Sequence, residues 1–513
     1  MKSILTFIGF ITFIHFTFAQ QLNVNVSNEL ETKDYSAAIV KCGNHFIRYQ
    51  HIGSSDHLMH GFGWNNTRLG IEVIQYDSNM VELKRVSFAN GDRIYGPMFT
   101  DIKKINDKVY IIYHEVQPKN TVGNIMAVEV NPETLETGTP KIIGQIADTD
   151  YKLKFSESLQ YSLKYFFIGS PDGKKNLVML TTGDKRCFVS MLDENMNVLW
   201  GKVQNVVESG DYEFKSVGID NKGNIYVGYK LYGKETEKNN SKNRIAIIHE
   251  TGKPIDVILN LGAITAANLQ VVPSKDNSTV HVAGTYMDNS NFAKLKGVFY
   301  TKLNIADFKL DDIKTTAFPD TLVKRFEQDG WANTKQKDFG LSRLLDFRFF
   351  EREDGVLDMI AEFRRTEQGT KAYFYFSGSI VNVSFETSGA VFARIPKIRR
   401  SVESLIGDSY TAIPFQNKVI VFYDDNDENL KKSISESPSS SNVYKNLVLI
   451  GAIIEPDGSV TRKLLIDMQD QNYLAVTESM IQENPGKIIV PLQKIKGQGG
   501  FANNTRWATI MID

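Results

Sequence analysis

Cysteine is scarce in this 513-residue chain, which contains only Cys42 and Cys187. Two cysteines cannot supply the paired thiolates of a structural zinc site or a dense disulfide framework. They fall in the first and third of eight repeated sequence units, which are not neighbours. We therefore expect two buried free thiols rather than a disulfide.

The chain also has almost no net charge and lacks familiar catalytic motifs. The 59 basic and 60 acidic residues leave a formal charge of −1, which gives no broad basic surface for nucleic acid. The sequence contains no G-x-S-x-G, no P-loop and no H-E-x-x-H. We therefore expect no nucleic-acid partner, and no common catalytic class is indicated.

Long hydrophobic runs are absent beyond the first 19 residues. Lys2 is followed by an apolar run from Ile4 to Phe18, with small residues at Thr17 and Ala19. The run is shorter than the roughly 20 residues that span a bilayer, which favours a signal peptide over a membrane anchor. The sequence predicts a signal peptide at 1–19, cleavage near Ala19 and a secreted or periplasmic mature chain without a transmembrane segment.

Alternating strands are abundant, and the segment from Phe214 to Lys230 is the clearest example. Two runs with a two-residue period flank a turn at Asn221-Lys222-Gly223, where glycine supplies the positive φ of a tight hairpin. Further alternating runs at Arg244–His249 and Pro254–Leu261 complete a four-stranded unit. Such a small sheet has two apolar faces and can bury them only against copies of itself.

This unit recurs eight times along the chain. The last unit has three strands, and an extra alternating segment at Leu22–Val26 could supply the fourth. The pattern predicts an all-β, single-domain β-propeller over 20–513, with eight blades of four antiparallel strands closed by the N-terminal strand. A seven-bladed ring is the second choice, and two stacked sandwiches are the alternative outside the propellers.

Two segments interrupt the repeat. Residues 319–340 form an insertion in which Asp320 or Thr321 caps a short helix, with Leu322, Val323 and Phe326 on one face. Residues 426–442 are rich in serine and predict a flexible loop.

Loop lengths indicate which side of the ring is used. Turns between the first and second strands, and between the third and fourth, are mostly short, whereas connections between the second and third strands are often long. In a propeller the long connections all emerge on one side, and variable loops on a regular scaffold usually bind ligands. Polar residues near the ends of the second strands are the predicted ligand-binding set: His51, Glu115, Lys230, Glu362, Arg364 and Asp424.

Two groups of residues could bind a metal ion. His57 and His60 lie in one loop and could bind zinc, although their spacing is not that of a structural site. The segment YDDNDENL places Asp425 and Asp427 among the oxygen ligands that calcium prefers, without the EF-hand order. No organic cofactor is predicted, and calcium and zinc are the two candidate ions.

Two segments resemble known proteins. The turn LDENMNVLWGKV, with Asp193 and Trp200, resembles strand-turn-strand segments of quinoprotein-like and WD-type propellers, although it occurs once. The segments SGSIVNVSFETSGAVFARIPKIRRS and VIVFYDDNDEN resemble uncharacterised exported bacterial proteins with propeller repeats. The resemblance implies an architecture and an envelope location, but no activity.

Two functions are compatible with these features. The preferred one is a non-enzymatic exported propeller that binds an extracellular or periplasmic protein, glycan or other envelope ligand on its loop-bearing side. The alternative is a secreted propeller hydrolase or lyase acting on extracellular carbohydrate or peptide.

Overall fold

The computed structural model describes most of the chain in separate segments. They are residues 22–27, 30–31, 39–52, 70–89, 98–116, 122–147, 164–181, 186–207, 211–232, 242–288, 291–328, 341, 344–368, 373–401, 410–433, 435–439, 441–442, 447–468, 473–477, 480–484, 486–496 and 500–512. Within these segments, neither helix has the length and apolar character needed to cross a lipid bilayer.

The strands form eight sheets, which are the blades of a propeller ring. The four main strands of a blade are antiparallel and are called A to D in order across the sheet. Blades one and two contain β3 (Ile39–Cys42), β4 (His45–Ile52), β5 (Gly70–Tyr76), β6 (Glu82–Ala89), β7 (Met98–Ile105), β8 (Lys108–Val116), β9 (Val122–Val130) and β10 (Lys141–Ala147). Blades three and four contain β11 (Lys164–Gly169), β12 (Lys175–Thr181), β13 (Arg186–Asp193), β14 (Val198–Asn205), β15 (Asp211–Ile219), β16 (Ile225–Tyr232), β17 (Lys242–Ile248) and β18 (Ile255–Leu259).

Of the remaining four blades, blades five, six and eight carry additional short strands. Blade five contains β19 (Ile264–Ala266), β20 (Gln270–Pro273), β21 (Thr279–Asp288), β22 (Asn291–Asn304) and β23 (Lys314–Ala317). Blade six contains β24 (Leu344–Glu351), β25 (Leu357–Gln368), β26 (Tyr373–Glu386) and β27 (Gly389–Ile395), joined by β28 (Arg399–Ser401) and β31 (Ser441–Asn442). Blade seven contains β29 (Tyr410–Phe415), β30 (Lys418–Asn426), β32 (Leu447–Ile454) and β33 (Val460–Asp467).

Blade eight is built from both ends of the chain. The C-terminal part supplies β34 (Tyr473–Ala475), β35 (Ile481–Asn484), β36 (Lys487–Lys496) and β37 (Gly500–Ile512). The N-terminal β1 (Leu22–Val26) pairs antiparallel with β37, and β2 (Leu30–Glu31) pairs further along the same strand. Because β34 and β35 share the A position, the last unit supplies three strand positions and β1 occupies the fourth.

Eight hydrophobic clusters hold the blades together, one in each seam between consecutive blades. The seam between blades eight and one contains Ile489 and Trp507 packed with Phe46 and Tyr76. Lys41 of blade one and Glu483 of blade eight form an ion pair beside it. Eight blades are therefore confirmed, and the seven-bladed alternative is wrong.

Strand position explains which sequences are wholly apolar. The C strand of blade seven, LVLIGAII, is buried at every residue because both of its faces pack against neighbouring blades. The D strand β33 lies at the outer edge and mixes half-buried and exposed residues, with one buried residue near its end. Apolar runs therefore identify B and C strands, whereas mixed runs identify D strands.

One side of the ring is closed by hydrogen-bonded turns. In the A–B turn of blade four, Asp220 Oδ1 accepts the backbone N–H groups of Lys222 and Asn224, both at 2.9 Å. Asn277 of blade five accepts the N–H of Asn221 at 2.8 Å, which links neighbouring turns. We call this side the turn end, and the opposite side, where B strands finish and long B–C connections begin, the loop end.

A helix, α1 (Asp320–Gln328), lies within the predicted insertion after blade five. Leu322, Val323 and Phe326 are buried in the cluster between blades five and six, as their spacing indicates. The Phe326 ring centroid lies 5.8 Å from that of Phe363 in β25. The insertion thus reinforces one seam, and its residues 329–340 lie outside the described part.

Candidate functional site

The predicted ligand-binding residues all belong to B strands at or near the loop end. Lys230 lies in β16, Glu362 and Arg364 lie in β25, and Asp424 lies in β30. His51 is placed in β4 and Glu115 in β8, but their side chains lie outside the described part of the structure. His57 and His60 also lie outside it.

Strand alternation directs these side chains into different seams. Tyr423 packs in the seam between blades six and seven, and Phe422 packs in the seam between blades seven and eight. Since alternate residues share a face, Asp425 faces the first seam and Asp424 faces the second. By the same reasoning from Ile360, Glu362 faces the seam that receives Asp425. The structure therefore brings Glu362 together with Asp425 rather than with Asp424.

A buried ion network occupies the loop end of this seam. Glu362 Oε1 lies 2.5 Å from Lys397 Nζ, and Glu362 Oε2 accepts a hydrogen bond from Arg364 Nε at 2.9 Å. Arg364 also pairs with Asp346, and Lys397 lies 5.8 Å from the Tyr423 ring centroid. Glu362 and Lys397 are both fully buried. Each buried charge in the pair therefore has a counter-charge, as buried ions require.

Lys397 was not among the residues predicted from sequence. It lies in the link after β27, at the loop end, and not in a strand. The signal that could have revealed it is the basic run PKIRRS in a link between blades. Such links reach the same side of the ring as the B–C connections, so their charged residues are candidates too.

Irregular pairing of β25 with its two neighbouring strands orients the acidic and basic groups of the network. The pairing of β24 with β25 shifts between Leu345 and Arg348, and Asp346 has a positive φ of 52° there. The pairing of β25 with β26 shifts between Glu362 and Arg364. Bulges redirect side chains and often lie beside functional sites. Here they bring the Asp346 and Arg364 side chains into an ion pair.

Asp425 lies beneath the serine-rich B–C loop of blade seven. Its Oδ1 accepts a hydrogen bond from Asn429 Nδ2 at 2.8 Å, and Asn429 lies in the short helix α2 (Glu428–Lys431). Asn429 also donates to the Ser439 carbonyl and accepts the Ser439 N–H, at 2.9 and 2.6 Å. This amide attaches the loop to β30. The predicted flexibility of residues 426–442 stays a prediction.

The Asp425 carboxyl is electrostatically unusual. It is fully buried, and Oδ2 has no hydrogen-bond partner in the described part of the structure. Burial raises its pKa from 3.8 to about 7, although the Asn426 N–H, Asn429, Lys397 and Arg462 act in the opposite direction. The carboxyl is therefore only partly ionised near neutral pH.

The structure describes the two residues of the predicted calcium site but not those of the predicted zinc site. Among the described residues, no three His, Cys, Asp or Glu side chains are grouped to hold a metal ion. Asp425 is buried against Asn429, whereas Asp427 is partly exposed. Calcium binding at these residues and zinc binding at His57 and His60 stay predictions.

Comparisons with known proteins give only distant similarities to solved structures. No family model and no curated protein matches the sequence. A protein of unknown function from Dyadobacter fermentans is 7% identical, with 96% of this chain and 100% of that chain covered and a TM-score of 0.34. The β-propeller domain of the trilobed protease from Pyrococcus furiosus is 11% identical, with 85% and 97% covered and a TM-score of 0.37. The WD40 domain of SCAP from fission yeast is 8% identical, with 96% and 98% covered and a TM-score of 0.35. At these values the similarities carry no argument about function.

Proposed function

We propose that the protein is exported and binds an envelope ligand, a protein or a glycan, through its loop end without catalysing a reaction. The observation that carries this proposal is the difference between the two sides of the ring. The B strands of blades four, six and seven carry buried charged groups at the loop end, represented by Lys230, Glu362 and Asp425. At the turn end of blade four, by contrast, the Asp220 carboxylate caps its own hairpin.

The state of the acids supports binding over the hydrolase or lyase alternative. A general acid or base must come within hydrogen-bond reach of the proton that it transfers. Both oxygens of Glu362 are engaged by Lys397 and Arg364, and Asp425 is covered by the loop that Asn429 attaches. Neither carboxyl is therefore free to exchange a proton with a substrate as a general acid or base.

Site-directed labelling tests which side binds. Ser437 is exposed in the B–C loop of blade seven, and Lys222 is exposed in a turn at the opposite end. Both native cysteines are buried and their thiol pKa values are raised by burial, so a maleimide should react selectively with an introduced cysteine. A bulky label on Ser437→Cys should abolish binding to a glycan array or to immobilised envelope proteins. The same label on Lys222→Cys should leave binding unchanged, and the reverse result would contradict the proposal.

Export is tested separately. N-terminal sequencing of the protein recovered from the periplasm or medium should begin near Gln20. Recovery of an intact N-terminus from the cytoplasm alone would remove the envelope part of the proposal.

A further inference from the structure

Lys230 is a buried cation at the loop end of blade four. Its residue is 8% exposed, and its Cα pairs with Glu213 of β15 on one side and Asn243 of β17 on the other. Tyr226 lies on the same face of β16 as Lys230, and Ile245 lies on the same face of β17 as Asn243; both pack between blades four and five. Lys230, Glu213 and Asn243 therefore face this seam from three adjacent strands.

Among the described residues around Lys230, the nearby carboxylate is that of Glu213, and it is already engaged. Glu213 Oε1 lies 2.7 Å from Lys215 Nζ, and Glu213 Oε2 accepts a hydrogen bond from Tyr232 Oη at 2.6 Å. Lys230 Nζ lies 5.5 Å from the centroid of the Tyr232 ring and has no ion-pair partner among the described residues. Within the described segments, two ammonium groups thus share one carboxylate, which leaves one positive charge uncompensated there.

Burial makes this uncompensated charge costly. The pKa of Lys230 is lowered, first by burial and then by Lys215, with Glu213 acting in the opposite direction. A buried ion is normally paired, because leaving it alone forfeits its hydration without compensation. An anionic group from a ligand would supply the missing counter-charge.

Neutral groups around Lys230 indicate what kind of ligand carries the anion. Asn243 Oδ1 and Ser216 Oγ are buried and have no hydrogen-bond partner in the described segments. Tyr232 is 38% exposed and offers an apolar ring beside them. A pyranose presents hydroxyl donors at its edge and an apolar face, which fits these acceptors and this ring. An acidic peptide would satisfy the cation but offers fewer donors beside it.

We propose that Lys215, Lys230, Tyr232, Asn243 and Ser216, the Lys230 patch, bind an acidic sugar of a polysaccharide. Its carboxylate or sulfate ester would lie against the two ammonium groups, and its hydroxyls would donate to Asn243 and Ser216. This inference rests on the proposed function and specifies the ligand class for the loop end.

Calorimetric titration with defined probes tests the proposal. The mature protein should bind oligogalacturonate, which carries carboxylates, or sulfated dextran, and should bind neutral dextran at least about tenfold more weakly. The stronger of the two acidic probes identifies the anionic group. Poly-glutamate that binds as tightly as the better acidic glycan would overturn the assignment to carbohydrate, and equal binding of neutral dextran would overturn the charge argument.

Two variants of opposite effect guard against misfolding. Lys230→Gln should weaken binding of the acidic probe by about tenfold or more, whereas Lys222→Gln at the turn end should not change it. Glu213→Gln removes the competing carboxylate and should tighten binding, a gain that a damaged fold cannot produce. Unchanged affinity in both the Lys230 and Glu213 variants would overturn the Lys230 patch. If a label on Ser437→Cys still blocks binding in that case, the proposed function stands and only the ligand assignment fails.

Discussion

Replacing Asp425 with a neutral residue should change how the stability of the protein depends on pH. The wild-type carboxyl is fully buried beneath the blade-seven loop, with its pKa raised from 3.8 to about 7. At a pH between these two pKa values, the carboxyl keeps its proton in the native state but has released it in the unfolded chain. Stability must therefore fall as pH rises through this window and level off above about pH 7.

The size of the effect follows from the two pKa values. Each pKa unit corresponds to about 1.4 kcal/mol, so between about pH 4.5 and about pH 8 the wild-type carboxyl should lose about 3 kcal/mol of unfolding free energy. Asp425→Asn keeps the acceptor for Asn429 but cannot ionise. Its new amide donor has no evident partner in place of Oδ2 and costs about 1–3 kcal/mol at every pH. The change with pH is therefore the informative quantity.

Denaturant unfolding followed by tryptophan fluorescence measures this quantity at the two pH values. The stability of Asp425→Asn relative to wild type should rise by about 3 kcal/mol from the acidic to the alkaline condition. A matched control is Asp107→Asn, whose side chain is 95% exposed and should show little change. A relative stability of Asp425→Asn that does not vary with pH would refute the assignment of a buried, partly protonated carboxyl.

Three further predictions concern the framework. Phe326→Ala should lower the free energy of unfolding by about 3–5 kcal/mol in thermal or chemical unfolding, because the ring is 1% exposed in the seam between blades five and six. The control Lys324→Ala, at an exposed position on the same helix, should cost little. Equal effects of the two substitutions would refute this packing role. Gly284→Ala should destabilise the protein much more than Gly138→Ala. A Cβ at position 284 would lie 1.9 Å from the Asn268 carbonyl oxygen, whereas a Cβ at position 138 would make only ordinary contacts. Similar melting temperatures of the two variants would contradict this close approach. Both cysteines should be inert to a thiol reagent until the protein unfolds, since burial raises the pKa of Cys187 to about 12 and Cys42 is also buried. Rapid labelling of the native protein would refute this prediction.

Much of the fold could be predicted from the sequence because strand alternation and turn chemistry are local. The predicted runs at 244–249 and 254–261 differ from β17 and β18 by one or two residues at each end. The A position of blade five was less regular than predicted. There β19 and β20 both pair with β21, and the Asn268 backbone crosses Gly284 between them. This break depends on a close approach between strands, which no local pattern records.

The candidate site was predicted only in outline. The positions of Lys230, Glu362 and Arg364 at the loop end follow from strand register, which the sequence carries. Their partners do not, because Lys397 comes from a link between blades and Asn429 from a loop. The different directions of Asp424 and Asp425 could have been inferred from alternation with Tyr423. The bulge at Asp346 could not, since it depends on pairing between β24 and β25.

Hydrogen exchange tests most directly whether ligands bind at the loop end. Exchange of backbone amides would be compared for the mature protein alone and with the glycan that binds it most tightly on an array. We predict slower exchange at the ends of the B strands, in Tyr229–Tyr232 and Asp424–Asn426, and no change in the turn Asp220–Asn224. Protection confined to that turn and its neighbours at the turn end would contradict the proposed binding surface.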